Sequence, residues 1–318
     1  MYLQLALICL LLLKQATLGA LVTPTNQCPS NVTTACPTGT TCCQQMFSNS
    51  GYGCCNLPDA VCCGLQGCCP KGLLCRNTPP YTSECIEPST NKTTFATTVC
   101  TPGPEHMPSA KGGGPSMIII GDSVSIGYTP VVTTLLAGAA GNISVQHSPW
   151  AGGGGADDVA NGVSCERYFI RTAMYQNASW DLISFNFGLH NLNNATSAEE
   201  VYEELLGNFT MTLRTQQPKA QLVYVTTTPQ MQYRYLGNMV VEDLNRRART
   251  VMSGHAIPVL DLYQRVIDKC GAVYKNCSIC DDEYNPQTGI TCGYHYNAAG
   301  WEYLGEFLAP LYRKMLKP

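Results

Sequence analysis

The stretch Met117-Ile118-Ile119-Ile120-Gly121-Asp122-Ser123-Val124-Ser125-Ile126-Gly127 opens with four apolar residues and breaks at a glycine into a hydroxyl-rich turn. Apolar residues in unbroken succession suit a strand covered on both faces, as in a parallel sheet. Residues 143–146, 181–187, 221–228 and 258–261 read as four further strands. Between and after them, 197–217, 237–253 and 298–316 carry helical periodicity, with Val201, Leu205 and Phe209 spaced by four. Strand and helix in alternation predict an α/β domain over 116–318, a parallel sheet flanked by helices. Ligands bind such sheets beyond the carboxyl ends of the strands. Chemistry is therefore expected just after each apolar run, and Ser123 stands at the first of these places.

A serine at a strand-to-helix turn is held open, with the N–H groups of the helix start aimed at the same spot. It needs a base, and five histidines are available: His106, His147, His190, His255 and His295. His295 lies shortly before the last helix, in His295-Tyr296-Asn297-Ala298-Ala299-Gly300-Trp301. The Gly121-Asp122-Ser123 turn resembles the first block of the SGNH, or GDSL-type, hydrolases, and the segment from His295 to Trp301 resembles their last. The resemblance covers about 200 residues in order and implies a flavodoxin-like sheet. It also implies hydrolysis of acetyl or other short acyl esters by way of a Ser123 acyl-enzyme. His295 would be general base and acid, and Ser125 is expected to be structural.

The same resemblance places the oxyanion hole. Its donors would be the N–H of Ser123, a glycine of the run 152–155 (Gly153 and Gly154 being central), and the residue at the family's asparagine position. That position holds His190 in Gly188-Leu189-His190-Asn191, so His190 is the expected third donor, with Asn191 as a fallback and Asn186 a weaker one. A second departure concerns the aspartate that the family carries three residues before its histidine. Cys292 stands there, expected in a disulfide with Cys277 or Cys280, which leaves a backbone carbonyl, Asp281 or Asp282 to orient the ring, or a Ser–His dyad. These departures also admit a catalytically silent binding or matrix protein.

Nineteen cysteines mark an oxidising compartment. Twelve of them crowd one segment: Cys28, Cys36, Cys42, Cys43, Cys54, Cys55, Cys62, Cys63, Cys68, Cys69, Cys75 and Cys85. So short a segment cannot bury a sufficient core and needs cross-links. Its four Cys-Cys doublets resemble the granulin module, a ladder of hairpins with six disulfides, although the gap between Cys63 and Cys68 is one residue short. The expected organisation is a signal peptide (1–20), a granulin-like module (21–85), a Thr/Pro/Gly-rich linker (86–115) and the hydrolase-like domain (116–318). Cys100 is expected to tie the linker to that domain. The apolar run 3–13 followed by Ala16, Gly19 and Ala20 supports secretion, and Asn31, Asn91, Asn142, Asn177, Asn194, Asn208 and Asn276 are expected glycosylation sites.

Only 13% of residues are charged, the formal net charge is −3, and no Lys/Arg cluster stands out, which excludes a basic nucleic-acid binder. A hydrophobic content of 45% excludes a disordered polymer. No metal or organic cofactor is implied and no transmembrane anchor is expected. The partners implied are a small-molecule, glycan or lipid ester and an extracellular protein met through the N-terminal module.

Overall fold

The computed structural model describes residues 26–29, 35–36, 39–45, 51–64, 67–78, 82–100, 114–137, 143–149, 155–170, 179–192, 199–230, 236–271, 277–281 and 293–316. Residues 1–20, the expected signal peptide, lie outside them.

The N-terminal part is a stack of short antiparallel strands: β1 (Asn26–Gln27), β2 (Ala35–Cys36), β3 (Thr41–Gln44), β4 (Tyr52–Cys55), β5 (Val61–Cys63), β6 (Gly67–Cys69), β7 (Leu74–Thr78), β8 (Thr82–Ile86), β9 (Thr93–Phe95) and β10 (Thr97–Cys100). The twelve clustered cysteines pair as Cys28–Cys42, Cys36–Cys54, Cys43–Cys62, Cys55–Cys68, Cys63–Cys75 and Cys69–Cys85. Small clusters of these sulfurs, with Val99, take the place of an aliphatic core.

Residues 86–100, expected in the linker, carry two strands instead. β9 pairs with β8, and β10 is the middle strand of a sheet ordered β3-β4-β10-β6-β5. Val99 is fully buried, and its carbonyl accepts from Gln45 Nε2 at 2.7 Å. Thr93-Thr94-Phe95-Ala96-Thr97-Thr98-Val99 is rich in β-branched residues, which favour a pleated, half-buried surface. Threonine content marks a strand here, not a linker. Cys100, at the end of β10, forms a disulfide with Cys165 and joins the two halves of the chain. Around it Asn56 Nδ2 donates to Ser164 O at 3.0 Å, while Asn56 Oδ1 accepts from Tyr168 OH at 2.5 Å and from Arg167.

The second part alternates as expected: β11 (Ser116–Ile120), α1 (Ser123–Ala137), β12 (Ser144–Ser148), α2 (Val159–Ile170), β13 (Leu182–Phe185), α3 (Glu199–Gln216), β14 (Gln221–Val225), α4 (Leu236–Gly254), β15 (Val259–Leu260), α5 (Leu262–Cys270) and α6 (Ala298–Met315). The five strands are parallel in the order β12-β11-β13-β14-β15. Successive strand residues face opposite sides, so Met117 and Ile119 join a core with α1 and α6. Ile118 and Ile120 join a second core, shared with α2, α3 and α4. Both faces are covered, as the apolar run 117–120 requires. The strand order reverses between β11 and β13. A ligand crevice forms at such a switch point, and the residues leaving these two strands at their carboxyl ends are Ser123 and His190.

Candidate active site

Ser123 is the first residue of α1 and is partly buried. The turn before it is tight: a Cβ on Gly121 would lie 2.6 Å from Ser125 Oγ, so only glycine fits. Asp122 is buried, and its Oδ1 accepts from Val124 N–H at 3.0 Å, closing the helix start. Burial raises the Asp122 carboxyl above the usual aspartate range, against the opposing pull of His190, the Val124 and Ser125 N–H groups, and His295.

His295 Nε2 stands 2.8 Å from Ser123 Oγ, across 172 residues of sequence. The motif that follows it explains how the ring is placed. Asn297 Oδ1 accepts from Gly300 N–H at 3.0 Å and caps α6. Asn297 Nδ2 donates to Ser278 O at 3.0 Å and to Cys280 O at 2.6 Å, and its backbone N–H donates to Ile279 O. A Cβ on Gly300 would lie 2.2 Å from Ile279 O. Asparagine and glycine thus clamp segment 277–281 against segment 293–297. The clamp brings Asp281 Oδ2 to 3.9 Å from His295 Nδ1, with Asp281 Oδ1 accepting from Gly293 N–H at 3.1 Å.

Of the expected cysteine partners, Cys277 bonds to Cys270 and Cys280 is also in a disulfide; Cys292 lies outside the described residues, as does Asp282. The two places where three cysteine sulfurs gather, Cys28/Cys36/Cys42 and Cys270/Cys277/Cys280, hold sulfurs already used in disulfides. They offer no thiolate to a metal.

The glycine run meets the serine turn at its last member. Gly155 has φ +61°, and a Cβ there would lie 2.2 Å from Gly121 O. Ala156 N–H donates to that same oxygen at 2.8 Å. Gly153 and Gly154 lie outside the described residues. On the other side of the cleft, Gly188 packs so closely on Thr227 that a Cβ would lie 1.9 Å from Oγ1. His190 and Asn191 follow in a single 3-10 turn, with His190 partly exposed and Asn191 fully buried. Asn186 is engaged elsewhere, donating to Val225 O at 2.7 Å and to Thr227 Oγ1 at 3.1 Å.

The sequence motifs assign no role to two residues here. Asp157 Oδ1 lies 2.9 Å from His190 Nδ1. His147, on β12, is buried, with Nε2 2.6 Å from Ser125 Oγ and Nδ1 donating to Pro149 O at 3.0 Å. Burial drives the His147 pKa down to about 3, against the bond to Pro149. It is neutral at ordinary pH, and with Ser125 it braces the nucleophile turn from below.

An unfolded histidine near 6.5 binds a proton that folded His147 refuses until about pH 3, so stability falls as pH drops through this window. The expected loss at pH 5 is about 2 kcal/mol relative to neutral pH. Urea unfolding of wild type and His147→Asn between pH 7 and pH 4 checks it. Equal pH slopes in the two proteins would remove His147 as the cause.

A serine–histidine contact at the switch point of a parallel α/β sheet fits a hydrolase of the SGNH class. The chain belongs to the GDSL-like lipase/acylhydrolase family, whose model matches residues 119–302, and a granulin model matches residues 41–85. That family is one of ester-bond hydrolases, and the granulin match precedes it in the chain.

Among similar proteins are progranulin of Mus musculus, 51% identical over 48 residues, and of Homo sapiens, 44% identical over 48 residues. Each match covers 15% of this chain and 8% of that relative, so the chain spans under a tenth of the curated proteins it matches. Among solved structures, a lipase/acylhydrolase from Enterococcus faecalis aligns with 18% identity and a TM-score of 0.47. It covers 64% of this chain and 98% of its own. An acetylxylan esterase variant from Geobacillus stearothermophilus aligns with 13% identity and a TM-score of 0.46, covering 64% and 94%. The granulin domain and the eight described disulfides fit an extracellular protein, and no described helix is long and apolar enough to cross a membrane.

Proposed function

We propose that the protein is a secreted serine esterase that hydrolyses acetyl and other short acyl esters through an acyl-enzyme on Ser123. The observation that carries this reading is the 2.8 Å contact between Ser123 Oγ and His295 Nε2. His295 takes the serine proton as Oγ attacks the ester carbonyl and returns it to the departing alcohol. It then takes a proton from water, whose oxygen attacks the acyl carbon, and passes that proton to Oγ as the acyl bond to Ser123 breaks. Asp281 is the orienting acid: at 3.9 Å it faces the nitrogen that carries the proton when Nε2 acts as base, and such contacts tighten on substrate binding. The oxyanion is held by the N–H of Ser123, by the glycine run including Gly153 and Gly154, and by His190. The burial of Asn191 favours His190 over it as the third donor.

The preferred substrates, sugar O-acetyl groups, rest on family resemblance. Secretion is supported by the apolar run at 3–13 and by the disulfides, and glycosylation at Asn91 and Asn208 by the exposure of both side chains; Asn31, Asn142, Asn177, Asn194 and Asn276 lie outside the described residues. The granulin domain is the surface proposed for an extracellular protein partner. A fluorophosphonate probe is expected to label the purified protein at Ser123 alone, read by peptide mapping. A protein that remains unlabelled has no activated serine, and the proposal would fall.

A further inference from the structure

Asp157 and His190 belong to the two loops that flank the serine turn, and they touch. Asp157 follows the glycine run and precedes α2; His190 leaves the end of β13. The carboxylate meets Nδ1 at 2.9 Å, with both side chains partly open, at 44% and 30% exposure. Asp157 holds φ +60°, a left-handed conformation uncommon for a residue other than glycine. It is kept there by its neighbours: Gly155 and Ala156 are pinned on Gly121 O, and Asp158 Oδ1 caps α2 by accepting from Asn161 N–H at 2.8 Å.

The contact has a chemical consequence for the oxyanion hole. A carboxylate only accepts hydrogen bonds, so Nδ1 must carry a hydrogen. In neutral imidazole that leaves Nε2 as a bare acceptor, which would repel an oxyanion. Imidazolium alone donates from both nitrogens. The charged groups facing the ring are Asp157 and Asp158 from the segment before α2 and Asp122 from the serine turn, with His295 beyond Asp122. Burial pulls the His190 pKa down, but the bond and charge of Asp157, with Asp122 and Asp158, outweigh it and leave the pKa raised.

We propose that Asp157 is a positioning residue that holds His190 as a charged imidazolium donor to the oxyanion, in the place where this family uses a neutral amide. The proposal rests on the reading of Ser123 as the nucleophile. The imidazolium keeps its proton throughout; it stabilises the negative oxygen without transferring anything to it. Activity should therefore fall on the alkaline side as His190 loses its proton, a limb that a neutral amide donor would not have. The pair's contribution to stability follows the same sign, full below about pH 6.5 and lost as pH rises through the elevated value.

The experiment measures kcat for p-nitrophenyl acetate from pH 6 to pH 10, together with imidazole NMR titration of His190, on the full chain. His190→Ala is expected to lower kcat by about 10²-fold. His190→Asn should recover most of that loss and flatten the alkaline limb. Asp157→Asn keeps the shape and removes the charge, and should move both the limb and the His190 NMR midpoint down by about one pH unit or more. An alkaline limb that stays in place in both Asp157→Asn and His190→Asn would overturn the proposal while leaving the esterase reading intact. Turnover unaffected by Ser123→Ala would overturn both.

Discussion

Ser123→Ala and His295→Ala are each expected to lower kcat for p-nitrophenyl acetate by about 10⁴-fold or more, and the double substitution by no more than either alone. The reason lies in the shared proton. Without His295 Nε2 at 2.8 Å, the serine hydroxyl keeps its hydrogen and is a weak nucleophile. Without Ser123, the base has nothing to activate in the first step. Residues that act as one unit cost about as much singly as together, and that non-additivity is itself the signature.

Asp281→Asn should cost less, roughly 10²–10³-fold, because its carboxylate stands 3.9 Å from Nδ1 in the free enzyme and is held by Gly293 N–H independently of the ring. Steady-state kinetics on the three variants checks the order. Activity within tenfold of wild type in Ser123→Ala would remove that serine from the chemistry. An unaffected Asp281→Asn would reduce the site to a Ser–His dyad.

How much of this was written in the chain can be judged residue by residue. The strand 116–120 and its serine turn were readable because four apolar residues followed by glycine have few other structural uses. Helices 199–216, 236–254 and 298–315 were readable from their amphipathic faces. Helix 123–137 has a buried stripe of Val124, Tyr128, Val132 and Leu136, but Pro130, a β-branched run 131–134 and the exposed Leu135 obscure it in the sequence. Helices 159–170 and 262–270 lie outside the helical stretches expected from the sequence, being short, although Leu262 and Val266 share one face of the second. The orienting role proposed for Asp281 could be offered from the sequence only beside Asp282, a backbone carbonyl and a Ser–His dyad. The approach of Asp281 to the ring depends on the Asn297 clamp, whose other side, 277–281, carries no motif. Asp157 offers one clue, an aspartate doublet one residue beyond a glycine run. Nothing in the sequence said that it meets His190, which is a property of how two loops converge.

Replacing Cys100 and Cys165 together by alanine is expected to cost about 4 kcal/mol of unfolding free energy, from the chain entropy released by opening a 65-residue loop. The disulfides inside the granulin domain close loops of 12 to 19 residues, for which the same argument gives roughly 3 kcal/mol each. Those loops overlap, so their effects do not add. The long one stands apart because it ties the middle strand of the N-terminal sheet to the helix that begins two residues after Asp157. Buried Cys36, Cys54 and Cys100 share a core cluster with Cys165, Tyr168 and Phe169, so apolar contact reinforces the covalent link.

The double variant is expected to show a lower urea midpoint and a larger gap between the unfolding of the two halves. Turnover of p-nitrophenyl acetate should continue below the transition, since neither cysteine reaches Ser123. A loss under about 1 kcal/mol would mean that the Asn56, Arg167 and Tyr168 contacts hold the halves together without the disulfide. The granulin domain would then be docked on the hydrolase domain chiefly by its surface contacts, with the cross-link adding little to the joint.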